Sequence, residues 1–132
     1  MTQCKQPKLE FQEICGRRVE GRFDAGKLSS DGGLLLIRQL VEGQRFFSRL
    51  IQCFSDHRDP EAITHSLESM LKQRVYGLLA GYEDLNDHDT VRKDPVAQLM
   101  AGKVPGEEAD LASHSTLNRI ELSLPRSQVF SD

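Results

Sequence analysis

The stretch from Gly81 to Pro95, GYEDLNDHDTVRKDP, concentrates acidic side chains around a single histidine. These side chains are Glu83, Asp84, Asp87, His88, Asp89 and Asp94. Carboxylates and imidazoles bind divalent metal ions, so a metal site is the first chemistry to consider. A calcium loop of the EF-hand type needs oxygen ligands at alternating positions, a central glycine and a closing glutamate. That spacing is missing from the stretch.

Helix capping explains much of the same acidic stretch. Asn86 or Asp87 can cap a short helix that runs through Arg92, and Asp94 can cap the next helix, with Pro95 at its first position. Enzymes that use two metal ions gather their carboxylates from separated strands and helices, rather than from one turn. We therefore predict that the stretch has a structural role, and that the chain itself holds neither a metal nor another cofactor.

The composition limits the classes of protein to which the chain can belong. Its 132 residues are 38% hydrophobic and 28% charged, which is typical of one small globular domain. The longest apolar run, LLLI, is far shorter than the roughly 20 residues of a membrane span, and the first residues lack the apolar segment of a signal peptide. We expect a cytoplasmic protein without membrane contact. The net charge of −3 does not by itself indicate a nucleic-acid binder.

Apolar residues recur at helical spacing along most of the chain and predict a mainly α fold. A weak alternation of apolar and charged residues predicts one short strand or extended arm near residues 19–24. Ser29, Ser30 and Asp31 offer N-cap oxygens to a first helix in GGLLLIRQLVEG, and RFFSRLIQCF predicts a second helix.

An Asp-Pro pair gives the strongest helix-start signal in the chain. Asp59 suits the N-cap position, Pro60 the first helical position and Glu61 the positive end of the helix dipole. Apolar residues then follow at steps of three and four. We predict a long core helix of about twenty residues that closes near Gly81.

The same signal returns at Asp94, where KDPVAQLMAG predicts a helix of about two turns that ends at Gly102. The segment from Val104 to Asp110 is polar and predicts a loop. The final helical pattern, LASHSTLNRIELSL, runs until Pro125 stops it.

The beginning of this final helix could contact DNA. Ser113 or Ser115 can start the helix, and its first turns then present small hydroxyl, amide and guanidinium side chains, as recognition helices do in the major groove. The DNA-binding candidates on this helix are Ser115, Thr116, Asn118 and Arg119. Further candidates for phosphate contacts are Lys72, Arg74, Arg92 and Lys93. A solvated helix face without function is the alternative.

Three segments in the same order resemble the N-terminal region of DDE-type transposases of bacterial insertion sequences, group 1 of the transposase DDE domains. They are FDAGKLSSDGGLLLIRQL, the long block from DHRDPEAITHS to VAQLMAG, and LASHSTLNRIE. The resemblance extends from about Phe23 to about Glu121, and QRVYGLLAGYEDLNDHDTVRKDP is its most specific part.

This resemblance implies a polynucleotidyl transferase with an RNase H-like catalytic core, in which three carboxylates hold two magnesium ions. In the family the first carboxylate lies on an apolar strand after the final helix, and the chain ends at Asp132 before such a strand. We therefore expect a truncated transposase, inactive alone, without catalytic residues of its own. Its expected parts are an N-terminal arm at residues 1–28, a helical region at 29–124 and a tail at 125–132.

The resemblance also implies the partners of the chain. We expect it to bind transposon-end DNA, or to pack against the catalytic domain of a full-length transposase. The alternative is a small helical protein-interaction module, or a repressor-like transposase fragment, that does not bind DNA. Salt-dependent binding to terminal inverted repeats favours the first reading, and co-purification with full-length transposase without DNA binding favours the alternative.

Overall fold

The structure is a computed structural model and describes residues 8–23, 29–54, 56 and 58–123. The described part combines one β-hairpin with helices, so the prediction of a mainly α fold is confirmed. The predicted tail at residues 125–132, and Pro125 as the end of the last helix, lie outside the described residues. The hairpin consists of β1 (Leu9–Ile14) and β2 (Arg17–Gly21), and the helices are α1 (Leu34–Gly43), α2 (Phe46–Ile51), α3 (Leu67–Leu79), α4 (His88–Val91), α5 (Pro95–Met100) and α6 (His114–Ser123).

The hairpin corrects the prediction of a single strand or arm near residues 19–24. Two antiparallel strands pair instead, and the second ends at Gly21. The turn between them uses Cys15 and Gly16, both with positive φ, as two-residue hairpin turns require. The pairing is irregular between Phe11 and Ile14, and Ile14 reaches the core. This irregularity hides the period-2 pattern of the first strand from a reading of the sequence.

The start of α1 differs from its prediction. Its N-cap is Gly33, and none of the three expected side chains caps the helix. The hydroxyl of Ser29 instead donates to Asp94 at 2.9 Å, and the carboxylate of Asp31 accepts from the hydroxyl of Tyr82 at 2.7 Å. Both residues therefore fix the beginning of α1 to later parts of the chain.

The predicted long helix after Asp59 is wrong in its extent. Asp59 and Pro60 begin only a single 3-10 turn, Pro60–Ala62, and Ile63 is extended. The α-helix begins later, where the hydroxyl of Ser66 accepts from the amide of Ser69, and it has thirteen residues rather than about twenty. The β-branched pair Ile63-Thr64 and the competing serine cap account for the break, since both weaken helix continuation.

The capping of the acidic stretch is partly as predicted. Asp94 accepts from the amides of Val96 and Ala97, and α5 follows with Pro95 first, which confirms that helix. Asp87 occupies the N-cap position of α4, as predicted, but its side chain makes no capping bond, and Asp84 caps the 3-10 turn Leu85–Asp87 that leads into α4. The sequence pattern did not indicate Asp84 as a cap, because the three residues of the 3-10 turn separate it from α4.

The apolar core has two parts. The larger part joins the hairpin, α1, α2, α3 and α5, with Phe47 and Tyr76 in ring contact at 5.3 Å between centroids. The smaller part consists of Met70 on α3, Ala112 in the loop before α6, and Leu117 on α6. The last helix is therefore attached to α3 by a small apolar contact.

Candidate nucleic-acid interface

Around this small contact lies a polar cluster that we call the α3–α6 junction, made of Gln73, Arg74, Gly77, His88 and Asp89. His88 is its centre and is 0% exposed. The imidazole packs against Gly77 on α3 so closely that a Cβ atom there would lie 2.7 Å from Cε1 of the ring. A glycine is therefore required at this position of α3, because any larger residue would displace the buried ring.

The ring nitrogens of His88 lie between two hydrogen-bond donors. Nδ1 is 3.3 Å from Nε2 of Gln73, and Nε2 is 3.4 Å from Nη1 of Arg74. A doubly protonated ring would face a donor on each side. Burial lowers the pKa of His88, and the positive charge of Arg74 lowers it further, against the weaker effects of Asp87, Glu121 and Asp89. The ring is therefore neutral at physiological pH.

Gln73 connects α3 to Ala112, which lies two residues before α6. Its Nε2 donates to the carbonyl of Ala112 at 2.9 Å, and its Oε1 accepts from the amide of Ala112 at 3.1 Å. The side chain thus satisfies both backbone groups of a buried residue, and these two bonds fix the orientation of its amide group. Sequence reasoning missed this residue, since a glutamine in a helical pattern carries no signal of a distant backbone partner.

Arg74, a candidate phosphate contact, has its donors directed at the protein. Its Nε forms an ion pair with Glu121 on α6 at 2.9 Å, and Nη2 donates to the carbonyl of Glu83 at 3.0 Å. Its Nη1 donates to the carbonyl of Tyr82 at 3.3 Å and also faces His88. The guanidinium group therefore joins α3, the following turn and α6.

Asp89 caps α6 from another part of the chain. One carboxylate oxygen accepts from the amide of His114 at 3.0 Å, and the other lies 2.6 Å from Nδ1 of the same residue. The backbone hydrogen bond from His114 is the main cause of the lowered pKa of Asp89. A carboxylate thus occupies part of the helix start, where a DNA phosphate could otherwise bind.

Beside α6 lies an open cavity, the α6 groove, with a volume of about 580 Å³. Its lining combines apolar, hydroxyl and cationic side chains from residues 58–65 and from one side of α6. The lining residues are Arg58, Asp59, Ala62, Ile63, Thr64, His65, Thr116, Arg119 and Ile120. The groove is therefore a concave surface where an apolar floor meets cationic groups.

Two basic groups of the groove are held by neighbours. Arg58 donates to both carboxylate oxygens of Asp56, at 2.8 and 2.7 Å, and to the carbonyl of His65 at 2.8 Å. Nδ1 of His65 is 3.1 Å from Nζ of Lys103. Burial and then the charge of Lys103 lower the pKa of His65, which favours the neutral ring. Arg58 and His65 lie in the block that carries the family resemblance, but nothing in the sequence indicated that they line a groove beside α6 or that Lys103 lies next to His65.

The structure brings only two of the proposed DNA-binding residues to this groove, Thr116 and Arg119. Ser115 and Asn118 are exposed elsewhere on α6. Among the described residues Arg119 has no ion-pair partner. It is therefore the candidate whose guanidinium group is most available to a ligand.

The phosphate-contact candidates outside α6 differ in their surroundings. Lys72 has a side chain only 12% exposed and lies between Glu42 and Glu68, at 3.4 and 3.2 Å. Arg92 is 3.9 Å from Asp110, whereas Lys93 is exposed. Lys93 therefore remains accessible, while Lys72 is held within the protein.

The described residues contain no group of three or more His, Cys, Asp or Glu side chains placed to hold a metal ion. The carboxylates of Asp84, Asp89 and Asp94 accept backbone amides as helix caps. These three carboxylates are therefore engaged as helix caps. In the same part of the chain, no helix has the length and apolar character needed to cross a membrane.

Comparison with known protein families assigns the molecule to a class, the DDE-type transposases. The chain belongs to the family described as transposase DDE domain group 1, whose model matches residues 11–131. No curated protein and no solved structure matched the chain. The family match covers the hairpin from Phe11 onward, the α3–α6 junction and α6.

Proposed function

We propose that this chain takes part in DNA transposition and binds the terminal DNA of an insertion element through the exposed side of α6. Family membership supports the link to transposition. The overall charge of −3 does not attract DNA, so local cations must supply the affinity. The side of α6 that carries Asn118 and Arg119 is the surface we assign to this contact.

The observation that carries the proposal is the exposure of Asn118 and Arg119 on a helix that is anchored elsewhere. Asp89 fixes the start of α6 and Arg74 fixes Glu121 near its end. Asparagine suits the edge of adenine and arginine the edge of guanine in the major groove. An anchored helix with these two side chains facing solvent is a suitable surface for reading bases.

Phosphate contacts belong at the α6 groove rather than at the start of α6. The carboxylate of Asp89 places negative charge at the helix start, which disfavours a phosphate there. Arg119 lines the groove, and Nζ of Lys103 lies 3.1 Å from His65, which also lines it, whereas the guanidinium of Arg58 is held by Asp56. The backbone of one DNA strand can follow this cationic side while α6 contacts the bases.

A binding titration with Arg119→Ala tests the proposal. We expect the affinity for terminal inverted-repeat duplex to fall by about 1 to 3 kcal/mol, and the affinity for a shuffled duplex to fall much less. Lys103→Ala is the control, because loss of a phosphate contact at the groove weakens both duplexes alike and lowers the salt slope by about 1. An unchanged preference for the terminal duplex in Arg119→Ala would refute base reading by α6.

A second function, packing against the catalytic domain or a full-length transposase, has an observation of its own. Leu36 and Leu40 lie one turn apart on α1 and are 57% and 70% exposed. Exposed apolar side chains on one helix face suit a protein partner. Co-purification with full-length transposase that is lost in Leu36→Glu/Leu40→Glu, with DNA binding intact, would favour this function.

A further inference from the structure

Polar contacts dominate the attachment of α6. Leu117 is its one fully buried side chain among the described residues, at 3% exposure, and Ile120 is half-buried. Apolar contact is non-directional, so polar contacts must fix the rotation of the helix about its axis, and a shift of one residue turns a helix by roughly 100°. Such a rotation would move Asn118 and Arg119 away from any DNA groove that they contact.

The α3–α6 junction opposes this rotation at three positions. Gln73 fixes Ala112 before the helix, Asp89 fixes His114 at its start, and Arg74 fixes Glu121 near its end. The first and last of these contacts come from adjacent residues of α3, and His88 packs beside both. Displacement of His88 therefore disturbs both anchors on α3 together.

We propose that Arg74 is a positioning residue, which sets the orientation of α6 through Glu121 and does not contact phosphate itself. This inference rests on the proposed function, because it concerns how the DNA-reading side of α6 is held. The guanidinium group directs every nitrogen at a protein partner, and its side chain is 21% exposed. A phosphate ligand needs donors that are free to leave the protein surface.

Substitution of Glu121 distinguishes positioning from simple electrostatics, because the two models predict opposite changes in DNA affinity. If charge alone governs DNA affinity, Glu121→Ala removes a negative charge from α6 and strengthens binding. If Arg74 and Glu121 position the helix, Glu121→Ala weakens binding to terminal DNA. Glu121→Gln keeps an acceptor for Arg74 and serves as the conservative rescue.

The experiment compares wild type with Arg74→Lys, Glu121→Ala and Glu121→Gln in two measurements. Hydrogen exchange of the α6 amides from Leu117 to Glu121 reports the attachment without DNA. We expect it to become about tenfold faster in Arg74→Lys and Glu121→Ala, with amides of α5 unchanged and Glu121→Gln close to wild type. Arg74→Lys keeps its positive charge but loses the fork that bonds Glu121, Tyr82 and Glu83.

The second measurement is the affinity for terminal and shuffled duplex at two salt concentrations. We expect Arg74→Lys and Glu121→Ala to lose about tenfold on terminal DNA with the salt slope unchanged. Unchanged α6 exchange, or tighter terminal binding by Glu121→Ala, would overturn the positioning role. Absence of any preference for terminal DNA in the wild type would refute the proposed function instead, and the exchange data would still decide whether Arg74 fixes α6.

Discussion

The α3–α6 junction and the exposed side of α6 are adjacent, yet their polar side chains behave in opposite ways. In the junction Gln73, Arg74 and Asp89 each make at least two short contacts within the protein. On α6, Asn118 and Arg119 are exposed, and Arg119 has no ion-pair partner among the described residues. Clustered charge in a sequence is therefore a poor guide to function here, whereas exposure without a partner is informative.

The difference has a thermodynamic consequence. A buried polar group that loses its partner costs about 1 to 3 kcal/mol, because its hydration is not restored. An exposed polar group without a protein partner costs almost nothing to remove. Substitutions of the buried junction residues Gln73 and His88 should therefore lower stability, and those on the exposed side of α6 should change binding alone.

The largest effect is expected at Gly77. A Cβ atom at this position would lie 2.7 Å from Cε1 and 3.2 Å from Nε2 of the buried His88 ring. We expect Gly77→Ala to lower the free energy of unfolding by about 2 to 3 kcal/mol, measured by urea denaturation. Gly43→Ala at the end of α1 is the control, since its Cβ meets nothing within 4 Å, and it should change stability by less than about 1 kcal/mol. Equal effects of the two substitutions would contradict the close packing of His88.

Gln73 gives the next effect. Gln73→Met keeps the side-chain volume but leaves the amide and carbonyl of the buried Ala112 without their partner. We expect a loss of about 2 kcal/mol in the free energy of unfolding. Gln98→Met is the matched control, because Gln98 is equally buried but makes one clear backbone bond, at 3.1 Å to Arg92, and should lose about half as much. A neutral Gln73→Met would mean that water replaces the lost bonds.

As the pH falls, protonation of the buried histidine should lower the stability of the protein before protonation of the carboxylates does. The pKa of His88 is lowered from 6.5 in the folded state, so below about pH 6.5 the unfolded chain binds more protons and stability falls as the pH falls. His65 contributes in the same direction. The lowered pKa of Asp89 affects stability only near and below its ordinary value of 3.8. The two regimes are therefore separated in pH.

Urea unfolding between pH 7.5 and 5.0 measures how histidine protonation changes stability. His65→Gln isolates the contribution of His88, and we expect this variant to retain most of the decrease because His88 is completely buried. The ring signals of His88, followed by NMR as the pH is lowered, should report a pKa below the ordinary value of 6.5. A His88 ring that titrates at or above 6.5 would contradict the arrangement of two donors around it.

Local capping made part of this fold predictable from the sequence. Asp94 and Pro95 begin α5 as expected, because the cap and the amides that it accepts are two and three residues apart. The same reasoning failed at Asp59, where the cap exists but the helix stops after one 3-10 turn. The cap fixes where a helix begins, while Ile63, Thr64 and the second cap at Ser66 decide how far it continues.

The junction could not be derived in this way, because its partners are distant in sequence. Gln73 and Ala112 are 39 positions apart, and Asp89 and His114 are 25 apart. Asp89 looks like one more acidic residue in a capping segment, yet the helix that it caps is two helices further along the chain. Sequence periodicity identified α6 and its exposed residues, but the contacts that orient α6 depend on tertiary packing.

The smallest effect on stability is expected at Arg119, where the comparison between the two regions is sharpest. Its side chain is exposed on α6, and alanine is at least as good a helix former as arginine. Arg119→Ala should therefore change the free energy of unfolding by less than about 0.5 kcal/mol, while its affinity for terminal DNA falls. Leu117→Ala on the same helix is the control, because Leu117 is buried, and it should lose about 2 to 4 kcal/mol. Urea unfolding and binding titrations of both variants separate the two properties. A loss of stability above about 1 kcal/mol in Arg119→Ala would show that Arg119 packs like a junction residue, and its exposure would then no longer mark a binding surface.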